Sequence, residues 1–385
     1  MLCLVVRLLK SSSFPDVRVV IMSATLQSDL FSDYFASKKP GDLPPSRVHV
    51  GARLHPVTTY FLEDLAPEFG KRLQTARLID ARIKETFTQS AQPATSRNLQ
   101  AKGKKSTPKR LDPRHSEKFN SIILDLFQCI AEPGSTILVF LPGIAEISAL
   151  WEEARPLEAD GTYRIFPLHS MIPREEQDMC FEPPEPDVTN VVLATDIAES
   201  SLTLPKVVAV IDLGLHRRVS YDTNAGMSAL ATKWISCAAA KQRAGRAGRT
   251  QPGVCLRLYT RQFHDDCMED FEPPESSVMP LDRLYLQAKQ LGEKLGKVVQ
   301  AAPSTLRSTS LRPASVGAES LMRQMVQAPE LTAISGARKK TAELGMISAG
   351  VEAAQITSLG RLCLQLPIDL RLARLVWLGS PLGRA

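Results

Sequence analysis

Eight consecutive residues, Gln242-Arg243-Ala244-Gly245-Arg246-Ala247-Gly248-Arg249, place three arginines and two glycines in a pattern suited to phosphate chemistry. A guanidinium is planar, forked and permanently charged, so it bonds two phosphate oxygens at once. Arg246 and Arg249 are three apart, and on a helix residues so spaced project to neighbouring positions. Gly245 and Gly248 remove side chains beside them and leave room for a bulky partner. The plainer alternative is a solvated basic helix turn. Two glycines inside a helix would each cost about 1 kcal/mol, which an ordinary surface helix has no reason to carry.

A second polar cluster opens from an apolar run. Val191–Leu193 reads as a strand, and Ala194-Thr195-Asp196-Ile197-Ala198-Glu199-Ser200-Ser201-Leu202-Thr203 follows it as a turn dense in hydroxyls. Backbone N–H groups and Ser/Thr hydroxyls in such a turn are donors to phosphate oxygens. For Ser200 and Ser201, helix capping is an equal alternative.

With these residues in view, a resemblance becomes specific. Gln242–Arg249 resembles motif VI of superfamily-two helicases, and Ala194–Thr203 resembles motif V of the DEAH/RNA helicase A family. Ser23-Ala24-Thr25 is similar to motif III, Ile137–Gly143 to motif IV, and Leu168-His169-Ser170 to the neighbouring RNA-contacting loop. The five stand in family order with family spacing across nearly the whole chain.

The resemblance implies roles residue by residue. Gln242, Arg246 and Arg249 are implied to be catalytic, the two arginines as fingers reaching the γ-phosphate of ATP. Phe181 is implied to stack on the adenine, with Asp196 and Gly214 near the nucleotide. Ser23, Ala24 and Thr25 are implied to couple hydrolysis to movement, and His169, Ser170, Thr195 and Thr203 to touch the RNA backbone. Taken alone, Phe181 reads as a core residue and His169 and Ser170 as ordinary loop residues. The segment between Leu215 and Trp234 resembles the family's strand-separating β-hairpin; Arg217, Arg218 and Tyr221 there either touch RNA or line a solvated face. The implied ligands are ATP with Mg²⁺ in the full-length motor, RNA and a regulatory protein partner, with no membrane.

The elements that must hold these residues alternate. Val-Arg-Val-Val-Ile at 17–21 and Val57–Leu62 read as strands, and Met1–Lys10 as an amphipathic helix with Leu4, Leu8 and Leu9 on one face. After Phe119 a helix precedes Thr136–Leu141, a near-continuous apolar strand of the kind buried on both faces of a parallel sheet. A helix at about 144–154, a strand at about 163–168, a helix from about Arg174 and strands at 190–194 and 207–212 follow. Such βαβ repetition implies a parallel sheet with helices on both faces, whose ligands sit at the carboxyl ends of the strands. Past Phe271 the chain turns mostly helical, with a Ser/Arg/Pro-rich loop at 303–314.

Composition narrows the class further. Apolar residues make up 44% and charged residues 23% of the 385, as in ordinary globular proteins, and no apolar run approaches the roughly 18 residues of a membrane span. No basic region precedes the apolar start and no cleavage site follows it, so it is not a signal peptide. Seven scattered cysteines, none paired as Cys-x-x-Cys, argue for free thiols in a reducing compartment, hence a cytoplasmic or nuclear protein that is not secreted. The net charge is +6, and the stretch from Ser96 to Lys118, with eight basic and two acidic residues, carries all of it. That stretch reads as a disordered insertion.

The sequence holds no glycine-rich loop ending in Lys-Ser/Thr and no Asp-Glu-x-His, the elements that hold phosphates, metal and water in such motors. Gly103-Lys104-Lys105-Ser106 lacks an upstream glycine and a following apolar helix. The family places both elements before Ser23, so the chain reads as a fragment of an RNA helicase or a misassigned gene model, inactive by itself. A catalytically incomplete RNA-binding or scaffold protein is the rival reading. A DNA or protein translocase with a similar motif VI is another, and the motif V residues argue against it.

The expected fold is α/β. It comprises the tail of a first RecA-like domain (1–63), a linker with the basic insertion (64–118), a second RecA-like domain (119–269), a winged-helix-like domain (270–355) and the start of a ratchet domain (356–385).

Overall fold

The computed structural model describes residues 2–12, 18–22, 28–36, 44–48, 55–87, 115–200, 202–222, 227–274, 280–301 and 317–379. They fall into two compact units. One is built on a six-stranded sheet and the other is mostly helical.

The sheet takes β1 (Val57–Tyr60), β2 (Thr136–Phe140), β3 (Tyr163–Leu168), β4 (Thr189–Ala194), β5 (Val207–Asp212) and β8 (Gly253–Arg257) in the order β1-β8-β5-β2-β4-β3. Every pairing is parallel. The central strands β2, β4 and β5 are buried along their whole length, as their unbroken apolar runs require. Successive residues point to opposite faces. Ile137 and Val139 therefore enter one core, with Ile122, Leu126 and Ile147, while Leu138 and Phe140 enter the other, with Phe166, Val192 and Ala247.

Register decides where the chemistry lies. Phe140 is opposite both Ala194 and Asp212, and Leu168 is opposite Ala194. The loops after β2, β3, β4 and β5 thus leave the sheet side by side at its carboxyl edge. At the β3 edge, Pro167 offers no N–H, and the amide of Ile165 donates to the Glu158 carboxylate at 2.9 Å. Both devices blunt an exposed edge strand.

Several expectations need correction. Residues 18–22 form no strand. Val57–Tyr60 does form one, but it pairs with β8 and so belongs to the sheet assigned to the following domain. The segment after it is no linker at first: helices Leu62–Phe69 and Ala76–Arg82 and the turn to Phe87 bury Leu62, Leu65, Leu73, Ile79 and Phe87 in the same core. Phe87 and His115, on either side of residues 88–114, both contact the Trp234 ring, with centroids 6.0 and 5.5 Å away. Most of the expected 96–118 insertion lies outside the described residues, with all of 88–114, as do Gly103–Ser106 and the 303–314 stretch, but 115–118 are described and His115 and Ser116 are buried, so that end is not disordered. Strands β6 (Leu215–Asp222) and β7 (Met227–Trp234) form the expected separate two-stranded hairpin.

The helical unit contains helices Asp282–Ala301, Ala318–Arg323, Leu331–Glu343, Ser358–Gln365 and Leu370–Gly379. An isolated antiparallel bridge joins Ile347 to Ile356. The amphipathic helix Leu2–Ser12 forms, and its Leu4 and Leu8 join this unit's core beside Tyr285, Met322, Ile334 and Cys363. Helices on both sides of the expected 355/356 boundary contribute to that one core. Among the described residues, no helix is long and apolar enough to cross a membrane.

Candidate functional site

The helix Cys237–Ala244 starts at Ser236, whose hydroxyl accepts the Ala239 amide at 3.2 Å. That cap sets the phase that sends Arg243, in the last turn, under the carboxyl ends of β4 and β5. Arg243 has no exposed surface. Its Nη1 donates to Asp212 Oδ1 at 2.7 Å and its Nη2 to Asp196 Oδ1 at 2.6 Å and the Leu215 carbonyl at 3.1 Å. Its Nε donates to Glu199 Oε2 at 3.4 Å, and the guanidinium lies 4.7 Å from the Phe140 ring centre.

One buried cation among three carboxylates sets the electrostatics. Burial alone would lower the Arg243 pKa, but Asp212, Asp196 and Glu199 raise it further. Asp196 feels burial upward, yet His216, Arg243 and Arg218 leave its carboxyl below the usual range. Glu199 ends above its usual value, because burial, Asp196 and Asp212 outweigh Arg243. The second Asp196 oxygen faces the hairpin root, 3.6 Å from His216 Nδ1 and 3.9 Å from Arg218 Nη2.

Arg246 and Arg249 sit differently from their expected places. The helix ends at Ala244, and residues 245–250 form turns. Arg246 Nη1 donates to the Leu202 carbonyl at 2.8 Å and Nη2 to the Glu199 carbonyl. Arg249 Nη1 donates to Thr203 Oγ1 at 2.9 Å. Burial, with Arg249 nearby and Glu199 opposing, pulls the Arg246 pKa down to about 10. Gly248 has a reason other than room for a ligand. A Cβ there would lie 2.6 Å from Val57 Cγ2 and 2.8 Å from the His55 carbonyl, so the turn packs directly on the β1 edge.

The remaining candidates spread along the same edge. Thr195 and Asp196 follow β4, and the Thr195 and Asp196 carbonyls accept the amides of Ala198 and Glu199 at 3.1 and 2.9 Å. Gly214 has φ +72°, its amide donates to Asp212 Oδ1 at 2.9 Å, and a Cβ would meet Tyr259 at 2.6 Å. It therefore shapes the backbone around Asp212. His169 is half-buried after β3, with Nδ1 accepting the Met171 amide at 3.2 Å and a pKa lowered by burial and Arg217. Ser170 is exposed beside it; Phe181, in a short helical turn, is half-buried against the second core; and Gln242 is half-buried on the arginine helix. Ser23, Ala24 and Thr25 lie outside the described residues.

Sequence reasoning singled out Arg246 and Arg249 and passed over Arg243, although it stands in the same octet. It also missed the pair that fixes the hairpin base, Arg217 Nη2 to Glu146 Oε1 at 2.5 Å. A carboxylate one helical turn into the element after Gly143 was the available signal.

The helicase conserved C-terminal domain family matches residues 118–251. The DExH-box ATP-dependent RNA helicase DExH1 of Arabidopsis thaliana is 31% identical over 394 residues, covering 95% of this chain and 35% of that protein. The ATP-dependent DNA/RNA helicase DHX36 of Bos taurus is 35% identical over 297 residues, covering 72% of this chain and 29% of that protein. The crystal structure of the Escherichia coli DEAH/RHA helicase HrpB shares the fold, with a TM-score of 0.62 at 22% identity over 97% of this chain and 37% of the other. The chain thus spans roughly a third of the length of these relatives.

Proposed function

Because the chain belongs to the DExH/DEAH-box family of superfamily-two helicases, we propose that it supplies the second RecA-like half of an ATP-dependent RNA helicase. One observation carries the reading. Three guanidinium groups from one short segment meet the 195–203 turn where the parallel strands end. That is the edge at which such sheets bind ligands.

Arg246 and Arg249 are the groups for the γ-phosphate. Fixed guanidinium donors stabilise charge that builds on a transferring phosphoryl group without reorganising at the moment of reaction. In the described state both are engaged with the 199–203 segment, so reaching a phosphate means exchanging carbonyl and hydroxyl acceptors for phosphate oxygens. Phe181 is the adenine platform, Gln242 assists catalysis, and Asp196 and Gly214 border the nucleotide. Thr195, Thr203, His169 and Ser170 form the RNA track, gripping phosphates and 2′-hydroxyls rather than reading bases. Ser23, Ala24 and Thr25 couple the two.

ATP fits this arginine-rich edge. Among the described residues no three His, Cys, Asp or Glu side chains converge as metal ligands; in the full motor, Mg²⁺ would be held with the Asp-Glu element that the family places before Ser23. The helical unit is assigned as winged-helix-like with the start of a ratchet domain. A regulatory protein partner and a nuclear or cytoplasmic setting belong to the same reading.

The chain by itself hydrolyses no ATP under this proposal. Joined to a first RecA-like domain bearing a phosphate loop and an Asp-Glu pair, it gains RNA-stimulated phosphate release and strand separation. RNA binding indifferent to nucleotide, with no hydrolysis in the joined protein, would establish the scaffold reading instead.

A further inference from the structure

We propose that Arg243 is a positioning residue, which builds the 195–203 turn and ties it to the root of the β6–β7 hairpin. This rests on the helicase reading for what the turn binds, but not for how it is held.

All three guanidinium nitrogens of Arg243 are engaged, and the residue has no exposed surface. Four of its five N–H groups are engaged and the side chain is closed off from solvent, unlike a finger that must change partners. Its acceptors come from two stretches of the chain, each distant from it in sequence: Asp196 and Glu199 after β4, and Asp212 with the Leu215 carbonyl at the passage from β5 into β6. Asp212 Oδ1 also accepts the Gly214 amide, so one oxygen serves both the arginine and the bend into the hairpin. Asp196 divides its oxygens, one to Arg243 and one toward His216 and Arg218 of the hairpin. A single buried cation thereby fixes the loop expected to touch RNA, the strand end beside the nucleotide, and the hairpin.

The geometry also requires arginine. Four acceptors in different directions need the planar fork, and the ring of Phe140 faces the guanidinium. Lysine supplies one charged nitrogen and no plane.

The test is residue-level amide exchange on the purified chain, together with its affinity for a fluorescent single-stranded RNA oligonucleotide. In Arg243→Lys, exchange of the Ala198, Glu199 and Gly214 amides should rise at least tenfold, while β2 and β4 amides keep their protection. RNA affinity should fall by a similar factor. Asp196→Asn, which keeps an acceptor but loses the charge, should loosen Ala198 and Glu199 in the same direction, and it decides the matter if Arg243→Lys does not fold. Exchange that rises evenly over the whole sheet, or not at all, overturns the proposal. If the unmodified chain binds no RNA while local exchange responds as expected, the positioning role stands and the helicase reading fails.

Discussion

Arg246 and Arg249 hold on to backbone carbonyls and a threonine hydroxyl, acceptors they can exchange for phosphate oxygens, whereas Arg243 is locked by carboxylates. In a protein with the first domain present, Arg246→Lys and Arg249→Lys should each lower ATP turnover by roughly 10³ or more, the scale of arginine fingers in other phosphoryl-transfer enzymes. RNA affinity without nucleotide should hardly change. Lost RNA binding with turnover intact would move both residues to the RNA track. The carboxylates around Arg243 make a second expectation, with opposite signs. Asp196 titrates below its unfolded value of 3.8, so it adds stability above that value, and the gain is lost as pH falls through the folded one. Glu199 titrates above 4.5, so stability falls as pH rises from 4.5 to its folded value and the loss is constant above that. At neutral pH, urea midpoints should fall for Asp196→Asn and hold or rise for Glu199→Gln. Both differences should shrink below about pH 4, where carboxyls take up protons in either state.

Among the elements, the segment from Leu62 to Phe87 departs furthest from expectation. Its apolar positions at 62, 65, 69, 73, 79 and 83 are broken by Pro67 and Gly70, so no single helical period runs through them. In the structure Leu65 and Ile79 have no exposed surface. Leu65→Ala should therefore cost about 2–5 kcal/mol, read as a lower denaturation midpoint of the sheet unit; a linker leucine would cost almost nothing. The strands β2, β4 and β5 were legible because burial on both faces leaves long apolar runs. The strand expected at 17–21 has the right residue types, yet residues 18–21 form none, since a strand needs a partner that propensity cannot supply. The arginine octet was legible as chemistry, but its division of labour was not: the partners of Arg243 lie 28 to 47 residues away. Gly248 was legible as special and misread as to cause. Gly248→Ala should strain the packing against β1 and cost about 1–3 kcal/mol, seen as a lower melting temperature.

For the whole molecule, the charge excess sits in one stretch, 96–118, and the rest is balanced. Deleting 97–114 removes seven basic residues. The slope of log RNA affinity against log salt should flatten by about 0.7 for each phosphate of single-stranded RNA that is no longer neutralised. An unchanged slope would make the segment a passive connection.

The contacts of Phe87 and His115 with Trp234 have a consequence for how this protein can change over evolutionary time and in the laboratory. Phe87 and His115 are thus fastened to the same ring on either side of residues 88–114, so the sheet holds both ends of that stretch whatever its length. Closing a loop twice as long costs only about 0.6 kcal/mol more. Genomes are thus free to lengthen, shorten or rewrite the stretch, and a fluorescent protein or purification tag spliced in near its middle should leave the strand-end chemistry intact. Trp234→Ala would remove that tolerance by unfastening both ends together.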